Sequence, residues 1–201
     1  SRGLAFDGGV KPDLATWGKG IANGFSACAL TGRADIMELG GIRREGDDKL
    51  FLISTTHGAE TTGLAAMMAT IREFQRHKMI ESNWGRGEAL KRRLAEIAGS
   101  HGVGEALQVV GYPCLLALVC RNADGVPDDA FRTLMMQEMI AHGILFQGLF
   151  YPTWSHQQAE MDRITEAFDA ACAVYRQAIE KASTEGLLLG RPAKPVFRKK
   201  I

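Results

Sequence analysis

Cysteine is sparse in this chain, neither charge is in excess, and no apolar run is long; each of these absences removes a class of protein. Four cysteines occur in 201 residues, Cys28, Cys114, Cys120 and Cys172, and they lack the close pair spacing of a zinc site. Buried free thiols are the expected state. Lys and Arg total 24 against 23 for Asp and Glu, a formal charge of +1, so there is no electrostatic footprint for nucleic acid or an anionic membrane. A small-molecule partner is expected instead. The apolar run from Cys114 to Cys120 is far too short to span a bilayer, and no charged-then-apolar segment opens the chain. A cytoplasmic protein is expected. His57 and Glu60 stand three apart but have no third ligand nearby, and His77, His101 and His142 are isolated, so no metal site is expected. There is no internal repeat.

What is present is an ordinary globular composition, 46% hydrophobic and 23% charged, ample for a core and compatible with one or two domains. The opening SRGLAFDGG reads as a loop already under way, as expected of a piece of a longer protein.

The most informative stretch is VKPDLATWGKGIANGFSACALTG, from Val10 to Gly32. A Pro-Asp-Leu turn leads into a short apolar segment, and a glycine-punctuated loop leads out of Lys19, which places that lysine at a strand-to-loop junction. The flanking Gly18 and Gly20 leave room for a flat ligand or another backbone to approach. A lysine that loses hydration in such a cleft has its pKa lowered, and its free amine can attack a carbonyl. A lysine between glycines is also commonly a solvated loop residue, and the local pattern alone leaves both readings open. Other glycine-lysine chemistries fail on spacing. A P-loop would need glycine at Asp13 and a hydroxyl residue at Gly20, a dinucleotide fingerprint would need glycine at Asn23, and a nucleophile elbow would need glycine at Cys28.

The larger pattern is more specific. Pro12-Asp13-Leu14, Gly18-Lys19, Gly24, Gly32-Arg33 and Ile36-Met37 resemble, in order and spacing, the cofactor-lysine region of class III aminotransferases. That family includes glutamate-1-semialdehyde aminomutase. The resemblance implies an α/β, fold type I enzyme that uses pyridoxal 5'-phosphate, with Lys19 as the catalytic residue that carries the cofactor as a Schiff base. It also implies that Thr56, before Gly58, contacts the cofactor phosphate of a neighbouring subunit in a homodimer. The chain departs from the family pattern at Ser26, usually proline, and at Glu60-Thr61, usually Asn-Pro. If Arg2 matches the arginine that follows the family's Asp-Glu pair, the carboxylate that meets the pyridine nitrogen would lie upstream of Ser1, as would the phosphate loop and the stacking ring.

Local patterning supplies the rest. Ala27 to Leu30 reads as a short buried strand, Ala34 to Leu39 as a helical turn, GGIRREGDD (Gly40 to Asp48) as a surface loop, and Lys49 to Ser54 as another strand. Leu64, Met67, Met68, Ile71 and Phe74 predict a helix, before which Thr55 and Thr56 stand either as caps or as part of an anion site. A helix bearing Leu90, Leu94 and Ile97, two strands within Ala106 to Cys120, and a helix from Asp128 to a stop at Gly143 come next. A strand over Ile144 to Trp154 and a long helix capped by Ser155 and Gln158 end the α+β pattern, followed by a basic, extended tail.

The expected organisation is therefore the end of a large cofactor domain with its connecting helix over 1–76, a carboxyl-terminal small domain over 77–185, and a tail over 186–201. The function implied by the resemblance is amino-group transfer between an amine or amino acid donor and a keto or aldehyde acceptor. A 2,1-aminomutase and a non-catalytic truncated fragment are the alternatives.

Overall fold

Two short strands, β1 (Leu14–Trp17) and β2 (Ala29–Gly32), pair antiparallel with Leu14 opposite Gly32 and Trp17 opposite Ala29. They belong to a computed structural model that describes residues 11–41, 45 and 56–194. The chain divides into two units, Ser1–Lys78 and Met79–Ile201.

In the first unit the hairpin is followed by α1 (Ala34–Met37), a 3-10 turn over Glu38–Gly40, and the long helix α2 (Thr61–Arg76). The apolar period anticipated α2. Its apolar face nevertheless stays open, with Leu64, Met68, Ile71 and Phe74 all exposed. Among the described residues of this unit only Ala22 and Gly63 are buried. The strand expected at Ala27 to Leu30 begins two residues later and is half-exposed to exposed, because a two-stranded ribbon has no layer packed over it. The strand at Lys49 to Ser54, Thr55 and most of the Gly40 to Asp48 loop fall outside the described residues.

The second unit starts with α3 (Met79–Ser100), directly after Lys78, whose φ of 47° breaks the helix from α2. An antiparallel sheet of β3 (Leu107–Tyr112), β4 (Leu115–Cys120) and β5 (Leu149–Phe150) follows, in that spatial order, with α4 (Asp129–Ala141) inserted before β5 and α5 (Gln158–Glu180) after it. Leu94 of α3, Leu116 of β4, Leu134 and Met139 of α4, and Phe168 and Tyr175 of α5 are fully buried together. The Tyr175 hydroxyl donates 2.6 Å to the Arg121 carbonyl, so the one polar atom of that large ring is satisfied.

Three local expectations are corrected here. The strand over Ile144 to Trp154 shrinks to Leu149–Phe150, since Gly148 takes a φ of 91° and turns the chain out of the extended region. The capping box of α5 is formed by Gln157 and Glu160, with the Gln157 N–H donating 2.9 Å to Glu160 Oε2. Ser155 cannot take that role because the loop before it is held elsewhere. Arg86 donates to the carbonyls of Thr153 and Trp154 at 3.1 and 2.9 Å, and the His156 ring accepts from the Thr153 N–H. Finally, only Cys120 and Cys172 are buried, whereas Cys28 and Cys114 are exposed; Cys114 lies in the β3–β4 turn, where the chain reverses at the surface.

Candidate functional site

The first unit presents Lys19 at the end of β1. Gly18 is extended, and Lys19 then opens a 3-10 turn over Lys19–Ala22 that closes with Ile21 N–H to Gly18 O at 3.3 Å and Asn23 N–H to Gly20 O at 3.2 Å. Its backbone is unusual: φ is 52° at Lys19, 44° at Asn23 and 108° at Gly24. A left-handed lysine is disfavoured by contact between its Cβ and the backbone, and such strain persists only where the surroundings over-determine it. The side chain is exposed, and no carboxylate among the described residues pairs with its ammonium.

The neighbouring carboxylates are committed to another cation. Arg33 bonds Asp13 Oδ1 at 2.8 Å, and both carboxylate oxygens of Asp35, at 2.6 and 3.0 Å. Asp35 first, and Asp13 after it, hold the Arg33 guanidinium above its ordinary range. Together with Trp17 Nε1 donating 2.8 Å to Thr31 Oγ1, this clamp ties β1 to the end of β2 and fixes the strand that presents Lys19. Asp13 and Arg33 carry part of the sequence pattern, but their pairing across twenty residues was legible only once the hairpin register was known.

Thr56 begins an exposed turn over 56–59 and stands ahead of α2, whose N-cap is Glu60. The side chain of Glu60 makes no cap hydrogen bond to that helix. Thr56 is therefore not the N-cap residue of α2, and no described side chain is found capping the amides of the first turn of α2, groups suited to an acceptor. The 3-10 turn that carries Lys19 packs against α2 within the same unit.

Three histidines lie beside carboxylates. His57 Nδ1 lies 3.9 Å from Glu60, His77 is 3.1 Å from Glu73 and His101 is 2.9 Å from Asp169. No group of three or more His, Cys, Asp or Glu side chains among the described residues is placed to hold a metal ion. A cavity of about 390 Å³ in the second unit is lined by Cys120, Asp128, Asp129 and Arg132 among others. There Asp128 caps α4, and Arg132 donates to the Gln147 carbonyl at 3.0 Å.

A family model, Aminotransferase class-III, matches residues 3–172. The chain belongs to the class III aminotransferases. It is 30% identical over 180 residues to the taurine–pyruvate aminotransferase of Rhodobacter capsulatus, a match covering 81% of this chain and 39% of that one. It is 28% identical over 195 residues to the glutamate-1-semialdehyde 2,1-aminomutase of Thermus thermophilus, covering 84% and 42%. Among solved structures it matches the β-phenylalanine aminotransferase of Variovorax paradoxus at 27% identity, with a TM-score of 0.70 over 83% of this chain and 39% of that one. The chain thus spans about two fifths of the length of these class III relatives.

The fold is that of the fold type I transferases, mixed α/β, and the family's cofactor is pyridoxal 5'-phosphate. The donor set of the first unit fits this group in kind: an amine with no carboxylate partner among the described residues, on a strained turn, suits covalent attachment, and a helix amino end preceded by a threonine suits a phosphate. No helix among the described residues is long and apolar enough to cross a membrane.

Proposed function

We propose that Lys19 attaches pyridoxal 5'-phosphate through its Nζ and that the whole protein transfers an amino group between an amine or amino acid and a keto or aldehyde acceptor. The observation that carries this reading is the left-handed backbone of Lys19 at the exit of β1, with no carboxylate engaging its amine. A free Nζ serves twice: it holds the cofactor, and once displaced by the substrate amine it takes and returns a proton at the substrate carbon. The bound cofactor supplies the electron sink. Thr56 and the first-turn amides of α2 bind the phosphate, and the working unit is a cytoplasmic homodimer in which Thr56 faces the cofactor of the other subunit. In this reading residues 1–76 end the large cofactor domain, 77–185 form the small domain and 186–201 are a tail.

Borohydride reduction in the presence of the cofactor, followed by peptide mapping, tests the assignment. The expected adduct is on Lys19; an adduct on another lysine with Lys19 unmodified sinks it. In the same trapping series Thr56→Ala is expected to weaken cofactor attachment by about 1–3 kcal/mol, the range for a hydrogen bond to a charged group. Unchanged attachment removes Thr56 from the site.

The likeness to a 2,1-aminomutase over 195 residues supports a second reading, isomerisation of an amino aldehyde. Conversion of a single substrate with no second amino acceptor distinguishes it from transamination. A non-catalytic chain would show neither reaction even in the whole protein.

A further inference from the structure

The segment after α5 is strapped back across α4. Gln137 Nε2 donates 3.0 Å to the Leu187 carbonyl, and Gln137 Oε1 accepts from the Leu189 N–H at 2.8 Å. One turn nearer the amino end of α4, Thr133 Oγ1 accepts from the Ala193 N–H at 2.9 Å. Leu187 and Leu188 pack against the core of the second unit. From Leu189 at Gln137 to Ala193 at Thr133 the strap advances over four residues of helix, about 6 Å along its axis, toward Asp129. This strap lies beyond residue 172, where the match to the family model stops.

The next step of the same track meets the cavity of about 390 Å³ at the amino end of α4. Leu118, Val119 and Pro127 line its apolar side, and Asp129 and Arg132 its polar side. It lies where β5 has left the edge of β4: the Leu118 N–H bonds the Gly148 carbonyl at 2.9 Å, and the Cys120 carbonyl accepts from the Asp128 N–H at 3.1 Å. The Arg121 N–H bonds Ala106 at 2.8 Å on the β3 side, so the Cys120 N–H points the other way, to this edge. Asp128 is occupied by the amides of α4, whereas the exposed Asp129 carboxylate has no hydrogen bond or ion pair among the described residues.

Pro195-Val196-Phe197-Arg198-Lys199-Lys200-Ile201 follow Lys194 in the sequence and lie outside the described residues. We propose that the cavity is the seat of this chain's own tail, with the Phe197 ring against Leu118 and Val119 and Arg198 beside Asp129. Register supports the assignment: the spacing that sets Leu189 at Gln137 and Ala193 at Thr133 sets residue 197 at Asp129. Lys194 precedes a proline and is therefore biased to the extended region, which carries the chain onward. Burial of the aromatic ring is the main driving term, and an ion pair at the surface adds little. Arg132, whose Nη2 donates to the Gln147 carbonyl, supplies a cation suited to the face of that ring. Lys199 and Lys200 stay in solvent.

Amide exchange in the 201-residue chain tests this. Phe197→Ala, a change outside the core of either unit, is expected to speed exchange of the Cys120 amide and of Ala130 to Thr133 about tenfold, with the middle of α5 unchanged. Phe197→Leu keeps an apolar side chain and should retain most of the protection. The double variant Lys199→Ala/Lys200→Ala should leave it unchanged; an effect equal to that of Phe197→Ala would mean general charge attraction and overturn the seat. Nuclear Overhauser contacts from the Phe197 ring to the Leu118 and Val119 methyls supply the direct readout. They are expected within one chain and independent of concentration. Contacts that appear only between differently labelled chains would assign the cavity to a second copy and overturn the proposal. Absent contacts, or exchange indifferent to Phe197→Ala, would remove the tail from the cavity.

Discussion

At the residue scale the chain separates groups that are available from groups that burial has silenced. Cys120 and Cys172 sit in the core of the second unit, and burial pushes each thiol up from 9.0 to about 12; Asp169 adds to the shift at Cys172, and Arg132 opposes it at Cys120. Unfolding returns both thiols to their ordinary value. Between pH 9 and 12 the unfolded chain then binds fewer protons than the folded one, so stability is fully present below pH 9 and falls as pH rises through this window. Thermal melts at increasing pH should show the decline, and the double variant Cys120→Ala/Cys172→Ala, although less stable at neutral pH, should show a shallower slope. An unchanged slope would mean that the thiols do not carry it. By contrast Cys28 and Cys114 are exposed and should react with a thiol reagent in the native protein, well before the buried pair.

Among the elements, caps and packing matter more than surface charge. Asp128 Oδ1 accepts from the amides of Ala130 at 2.7 Å and Phe131 at 3.1 Å, closing the amino end of α4. Asp128→Ala is expected to destabilise the second unit by about 1 kcal/mol and Asp128→Asn by much less, as read from urea unfolding. The Arg176–Glu180 pair on α5 is comparably short, 2.7 Å, but its side chains are 55% and 58% exposed. Removing it should therefore change stability by no more than about 0.5 kcal/mol. Equal losses from the two substitutions would contradict this ranking. Helix α2 differs from α4 and α5 in leaving Leu64, Met68, Ile71 and Phe74 exposed, and its one buried position is Gly63.

Across the whole molecule, stability is distributed unevenly. Of the buried hydrophobic residues in the described chain, all but Ala22 belong to the second unit. The first unit exposes Leu14, Trp17, Phe25, Leu64, Met68, Ile71 and Phe74 instead. Limited proteolysis should cut the first unit early and leave a resistant fragment beginning near Met79, because protection follows buried apolar contact. Faster loss of the second unit would reverse the assignment of the core. The same imbalance bears on chemistry. The 201-residue chain is expected to give no measurable transamination by itself, since the groups proposed for the cofactor among the described residues of the first unit are only an amine and one phosphate-side anchor, while Asp13 and Asp35 are held by Arg33. Amino-group transfer to a keto acid, assayed with added cofactor, decides this. Robust turnover would show that the essential groups lie elsewhere in this chain.

The sequence by itself determined the elements whose signals are local. Apolar periods of helical spacing mark α2, α3, α4 and α5, Asp128 marks a start, and the ordered pattern around Lys19 points to the class III family. Only the tertiary structure decided what depends on distant partners. Whether Asp13 meets Arg33 is a matter of hairpin register, and whether Cys114 is buried depends on which side of a turn it falls. Arg86 and His156 hold the loop before α5, and so moved its capping box from Ser155 and Gln158 to Gln157 and Glu160. Gly63 carried no sequence signal at all, because a glycine matters for what approaches it, and the Ser26 carbonyl approaches only when the Lys19 turn and α2 are folded together.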